Sequence, residues 1–182
     1  MIQPPTFGGR IGRTWRESQP WWPAPDTAPA GAPNILFIVL DDVGYSDLGC
    51  YGSEIETPRM DALAGGGLRY SNFHVTAMCS PTRAALITGR NAHAVGMGAI
   101  AEWSTGFPGY QGRIKPQAAT IAQMLAPHAY SSYAVGKWHL ANMGDYPTGG
   151  SRDFWPLGKG FNRWYGFLGG FIDHWNPDLH ED

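Results

Sequence analysis

The chain has 182 residues, 13 Lys and Arg against 15 Asp and Glu, and a formal net charge of −2. That length supports one domain with a real core, and the near balance of charge gives no electrostatic reason to expect nucleic acid or an anionic membrane as the main partner. Two cysteines, Cys50 and Cys79, are too few for a disulfide scaffold and do not form a paired metal motif; nothing in their spacing argues for a bridge.

Residues 1–33 are rich in Pro, Gly and Trp and predict an extended strap, with Trp15, Trp21 and Trp22 pinning it to the domain surface. Arg10, Arg13 and Arg16 are not followed by an apolar segment of the secretory type, and no apolar run reaches transmembrane length. The simplest expectation is a soluble cytoplasmic protein.

From Ile35 to Leu40 the sequence is an unbroken apolar run stopped by Asp41-Asp42, which predicts a central strand of a parallel sheet covered on both faces. Thr57-Pro58 opens a helix that Gly65-Gly66-Gly67 ends. A second strand is expected over 68–73. Ser80-Pro81-Thr82 opens another helix, closed near Gly89. Residues 98–116 predict a long loop, about 117–125 a helix, and 132–135 a short strand stopped by Gly136-Lys137. From Gly144 onward the chain predicts loops, packed locally by Trp155, Phe161, Trp164, Tyr165 and Phe167. Strands alternating with helices give the α/β class: a mostly parallel central sheet with helices on both faces. In such sheets ligands bind beyond the carboxyl ends of the strands, where Asp41-Asp42, Cys79, and Lys137 with His139 are expected.

Asp41 and Asp42 offer hard oxygen donors suited to Ca²⁺ or Mg²⁺. Neighbours on an extended chain point apart, so both reach one ion only through a bend, which Val43-Gly44 would permit. Taken alone, such a pair more often caps a helix or is solvated. Cys79 at a helix start would feel the dipole, and Arg83 lies one turn on, on the same face; a buried structural cysteine is the plainer reading of those two residues alone. Lys137 and His139, two apart on a strand, would share a face. His74 and His93 stay ambiguous, and His128, His174 and His180 receive no role.

The run Cys79-Ser80-Pro81-Thr82-Arg83 to Thr88-Gly89-Arg90 resembles the sulfatase signature, C-x-P-x-R followed by a helix and T-G-R. Asn34 to Asp42 is similar to the first strand and metal-binding Asp pair of that family, Thr57 to Ala64 to its T-P-N-I-D-x-L-A helix, and Gly136-Lys137-Trp138-His139-Leu140 to its second signature. Four motifs in the family's order cover residues 34–140. The flanks around Gly89-Arg90-Asn91 and Trp155 to Phe161 look like bacterial arylsulfatases. The resemblance implies an alkaline phosphatase/sulfatase-like fold, with residues 34–182 as the N-terminal part of a catalytic domain.

It further implies hydrolysis of a small-molecule sulfate monoester. Cys79 would be oxidised to formylglycine by a formylglycine-generating enzyme, and its hydrate (a gem-diol) would attack sulfur. Asp41, Asp42 and the modified Cys79 would bind Ca²⁺, with Mg²⁺ the alternative. Lys137 would neutralise sulfate oxygens. Arg83 and His139 would position the nucleophile, with His139 also contacting substrate and accepting a proton. Phosphonate or phosphate ester hydrolysis within the same superfamily, or a non-catalytic binding role, are the competing expectations. Complete sulfatases carry a second Asp/Asn pair, a further His and a further Lys. Asp173, Asn176 and Asp178 do not fit that context, so the chain is expected to be a truncated piece, inactive alone.

Overall fold

A computed structural model describes residues 6–147 and 149–181. Three α-helices, α1 (Pro58–Gly66), α2 (Cys79–Thr88) and α3 (Ile121–Leu125), and three strands, β1 (Tyr133–Lys137), β2 (Arg163–Phe167) and β3 (His180–Glu181), are joined by 3₁₀ turns and long ordered loops. The sheet runs β1-β2-β3, with β1 and β2 parallel and β2 and β3 antiparallel. The α/β class therefore holds, with a small mixed sheet.

The helix boundaries follow from local chemistry. α1 starts at Pro58, where a missing N–H costs nothing. The Thr57 hydroxyl does not cap it: Thr57 Oγ1 accepts from Gly49 N–H at 2.8 Å and donates to Asp61 Oδ1 at 2.8 Å. In α2, Pro81 sits within the first turn, whose N–H groups have no intrahelical acceptor. Its far end closes on Gly89 at φ 65, with Gly89 N–H donating to Ala85 O. Thr120 opens α3 with a reciprocal box, Gln123 N–H donating to Thr120 Oγ1 at 3.2 Å and Thr120 N–H to Gln123 Oε1 at 2.9 Å.

The core is built from residues after Cys79. No described residue before Ser80 is buried. Ala84 of α2, Val95, Met97, Ala101 and Ile114 from the long loop, Trp138 and Leu140 beyond β1, and Trp155, Trp164 and Leu168 form one cluster. Its aromatics meet edge to face, Trp138 on Phe161 and Trp155 on Trp164. Their indole N–H groups stay satisfied: Trp138 donates to Phe154 O and Trp155 to Asp145 O, each at 2.8 Å. Asp145, itself buried, accepts a two-point contact from Arg113 at 2.6 and 2.7 Å, which ties the 98–116 loop to the segment after β1. That segment, expected as a plain loop, is thus structural.

Four expectations need correction. The 34–40 run forms no ladder and is not covered: Leu36 is 81 % exposed and Ile38 69 %. It lies along an apolar cleft beside β1, α2 and α3. Its flanks are fastened at Pro33, whose carbonyl accepts from Tyr130 Oη at 3.1 Å, and at Asp41. Residues 68–73 form no strand either; Leu68 is 86 % exposed, so nothing rewards an extended pairing there. Trp15 and Trp22 do not pin the strap and stand exposed, while Trp21 packs edge-on against Phe7 inside it. Finally, β2 was not expected. It pairs at Gly136 and Gly166 so closely that a Cβ on Gly166 would lie 1.9 Å from Gly136 O, so the sequence Trp-Tyr-Gly-Phe encodes a ladder rather than loop packing.

Candidate active site

Cys79 is the first residue of α2 and half-buried, with a free thiol; Cys50 is free as well. The residues that follow fix this helix end. The Ser80 hydroxyl accepts from Ala101 N–H at 3.1 Å in a buried contact. Thr82 Oγ1 donates to Thr76 O at 3.0 Å.

One turn on, Arg83 reaches across the site. Its Nη1 donates to Lys137 O at 2.7 Å, and its Nη2 lies 3.5 Å from Asp41 Oδ2. Lys137, the last residue of β1, puts Nζ 2.6 Å from that same oxygen. Three elements distant in sequence therefore meet at one carboxylate. Burial works against the ionised form of Asp41, but the hydrogen bond and charge of Lys137, with Arg83 and His139, outweigh it and hold the carboxyl below its ordinary range.

The expected bend after the apolar run occurs one residue early. Asp42 itself has φ 56, a left-handed conformation that Asp tolerates better than most residues. Gly44, by contrast, has φ −78 and opens a 3₁₀ turn. Asp42 makes no hydrogen bond or ion pair among the described residues. Two adjacent carboxylates at a bend suit a hard cation, but they supply too few of the six to eight oxygens that Ca²⁺ takes. No group of three His, Cys, Asp or Glu able to hold a metal occurs among the described residues. The donor set therefore fits part of a cation site.

His139 lies beyond β1 with φ 55, so strand alternation does not set its direction. His139 is 2 % exposed, and Nε2 lies 2.6 Å from Glu102 Oε2. Burial, reinforced by the charges of Lys137 and Arg83 and opposed by Glu102, holds the imidazole below its ordinary pKa. Burial also works against the charge of Glu102. Hydrogen bonds from His139, its own backbone and Tyr146 outweigh that, and the charge of the ring adds to them once acid protonates it, so the carboxyl is held below its ordinary range. The contact is thus a neutral imidazole donating to a carboxylate rather than an ion pair. Tyr146 Oη donates to the other oxygen, Glu102 Oε1, at 2.9 Å. Burial first and Glu102 second push the Tyr146 pKa up, so it remains a donor.

The structure thus brings Asp41, Arg83 and Lys137 into contact, and His139 interacts electrostatically with each of them. Cys79 enters through its position at the start of α2, with no hydrogen bond to that cluster. His74 is exposed and bonded to Asn72, and His93 bonds Tyr110. Glu102 and Tyr146 were not anticipated; they sit in loops without periodicity, and only the excess of ordered, buried residues around them marks those loops.

With that geometry in hand, comparison with known proteins is decisive: the Sulfatase family model matches residues 33–182. The chain belongs to the sulfatase family. This sulfatase chain is 35 % identical over 149 residues to an arylsulfatase of Klebsiella aerogenes, covering 81 % of this chain and 30 % of that protein. It is 42 % identical over 143 residues to arylsulfatase A of Homo sapiens, covering 76 % and 26 % respectively. An uncharacterised sulfatase of Schizosaccharomyces pombe is 37 % identical over 165 residues, covering 85 % of this chain and 28 % of that protein. Among solved structures, the crystal structure of Ps i-CgsB superposes with a TM-score of 0.62 at 34 % identity, covering 75 % of this chain and 28 % of that one. The sulfatase chain therefore spans less than a third of the length of these relatives.

Proposed function

We propose that this chain contributes the nucleophile end of an active site that hydrolyses sulfate monoesters. The observation that carries the reading is the meeting of Lys137 and Arg83 on Asp41, with Arg83 one turn along the helix that begins with Cys79. Two cations and one carboxylate beside such a helix suit the monoanionic head group of a sulfate monoester and the charge that builds up in its transition state.

Formylglycine made from Cys79 by a formylglycine-generating enzyme would supply, as its hydrate, a hydroxyl nucleophile and a route to release sulfate. A divalent cation, Ca²⁺ with Mg²⁺ as the alternative, would supply positive charge against the sulfate oxygens, and Asp41 and Asp42 are the residues that would hold it, alongside the modified residue 79. Lys137 binds and neutralises a sulfate oxygen. Arg83 orients Lys137 through its carbonyl and adds charge of the same sign. His139, neutral and buried, accepts a proton at a ring nitrogen.

Since two carboxylates do not complete a cation site, the 182-residue chain alone is expected to turn over no aryl sulfate. The deciding experiment is peptide mass spectrometry across Cys79 after co-expression with a formylglycine-generating enzyme. A peptide about 18 Da lighter than the thiol form is expected (thiol to aldehyde). An unaltered thiol, with no binding of an aryl sulfate detected by chemical-shift changes at Lys137 and Arg83, overturns the reading.

A further inference from the structure

Beyond the motif residues, the loop around Glu102 is built into the site. Glu102 lies in the 3₁₀ turn Ala101–Trp103. Ala101 is fully buried, and its N–H donates to the hydroxyl of Ser80, the residue after Cys79. The same turn therefore reads the position of the α2 start and carries the carboxylate that meets His139. The other Glu102 oxygen is held by Tyr146. The His139 backbone is held as well: its N–H donates to Leu168 O at 2.9 Å, with the residue in the left-handed conformation at φ 55. Against the ring lies Gly170, where a Cβ would come within 2.6 Å of His139 Cε1 and 2.8 Å of Nε2. A larger residue there would displace the imidazole.

A carboxylate only accepts hydrogen bonds, so the 2.6 Å contact places a proton on His139 Nε2. In a neutral ring the lone pair is then on Nδ1. That atom is buried and has no hydrogen-bond partner among the described residues. A buried, unpaired acceptor is costly, and it persists where a site requires it.

We propose that Glu102, steadied by Tyr146, is a positioning residue that fixes His139 in the Nε2–H tautomer and so presents Nδ1 as the free proton acceptor of the sulfate-ester site. The acceptor role rests on the proposed function; the tautomer and its dependence on Glu102 do not. In the reaction, Nδ1 would take a proton from a hydroxyl of the hydrated residue 79, either the one that attacks sulfur or the one whose deprotonation restores the aldehyde as sulfate departs, while Nε2 keeps its own. The positive charge then formed is stabilised by Glu102 through the existing hydrogen bond, with no rearrangement.

The test is long-range ¹H–¹⁵N correlation on the ¹⁵N-histidine-labelled chain near neutral pH, with His139→Gln assigning the signals. Nδ1 is expected to be unprotonated and Nε2 protonated, with its proton exchanging slowly. Glu102→Ala should speed that exchange about tenfold or more, whereas Glu102→Gln, whose amide oxygen still accepts, should restore much of the protection. Tyr146→Phe keeps the ring volume and should give an intermediate effect, which also serves if Glu102→Ala fails to fold. A protonated Nδ1 overturns the proposal, as does exchange at Nε2 that none of these variants moves. Mass analysis of Cys79 reports separately. An unconverted thiol with a bare Nδ1 sinks the sulfatase mechanism and leaves the tautomer assignment standing. A converted residue with a protonated Nδ1 sinks the positioning role alone.

Discussion

The segments before and after Cys79 are equally apolar to the eye and differ completely in burial. Residues 34–75 hold the longest hydrophobic run in the sequence, yet Leu36, Ile38, Leu68 and Phe73 lie largely open to water. Residues 80–168 are interrupted by glycines, prolines and charges, yet contain the entire buried core. The contrast teaches that burial belongs to a pair of surfaces rather than to a segment. Met97, Ile114 and Leu140 are fully buried in one cluster with residues of α2, β2 and the loops, whereas 34–40 finds only the side of β1 and the cleft beside it. The candidate site straddles the two regions, with Asp41 from the open part and Arg83, Lys137, His139 and Glu102 from the packed part.

Hydrogen exchange should show the largest difference. Amides of 34–40, which enter no ladder, are expected to exchange near the unstructured rate, and those of paired β1 and β2 roughly three orders of magnitude more slowly. Equal protection in the two regions would break the comparison.

Substitution should give the next effect. Trp138→Ala removes a ring packed on Phe161 and an indole hydrogen bond, and is expected to cost about 3–5 kcal/mol in denaturant unfolding. Leu63→Ala, at a position 74 % exposed on α1, should stay within about 0.5 kcal/mol. A Leu63 effect as large as that at Trp138 would mean that α1 is packed in solution.

The smallest effect is in pH. His139 has a depressed pKa in the fold, so its contribution is complete above its ordinary value of 6.5 and is lost as pH falls through the folded value. Glu102 is also depressed; its contribution is complete above 4.5 and is lost on acidification through its own folded value. Both signs agree, so the unfolding midpoint should fall steadily below pH 6.5, and His139→Gln should flatten the upper part of that fall. A midpoint that rises on acidification would contradict the neutral-imidazole assignment.

Much of this was legible in the residues. Pro58 and Pro81 in the first turns and the closing glycines announce the helices because the chemistry of helix ends is local, although no hydroxyl caps α1 or α2. The meeting of Asp41, Arg83 and Lys137 was expected from motif order. What escaped detection depends on distant partners. β2 is recognisable only once Gly136 is set beside Gly166. Glu102 lies 37 residues from His139 and 44 from Tyr146, in loops where no period marks a functional side chain. The 34–40 run failed for the converse reason: its pattern states what it needs on each face, and the fold supplies only one of them.

Asp41 has a mechanical duty as well as an electrical one. With Tyr130 holding the run at Pro33, the grip of Lys137 and Arg83 on the Asp41 carboxylate works as the second of two buckles on an otherwise loose belt. Replacing that carboxylate by an amide would discharge the site and unfasten the belt in one stroke. A dead Asp41 variant would therefore report on anchorage and chemistry together, and protection of the 34–40 amides measured in the same variant is the way to tell them apart.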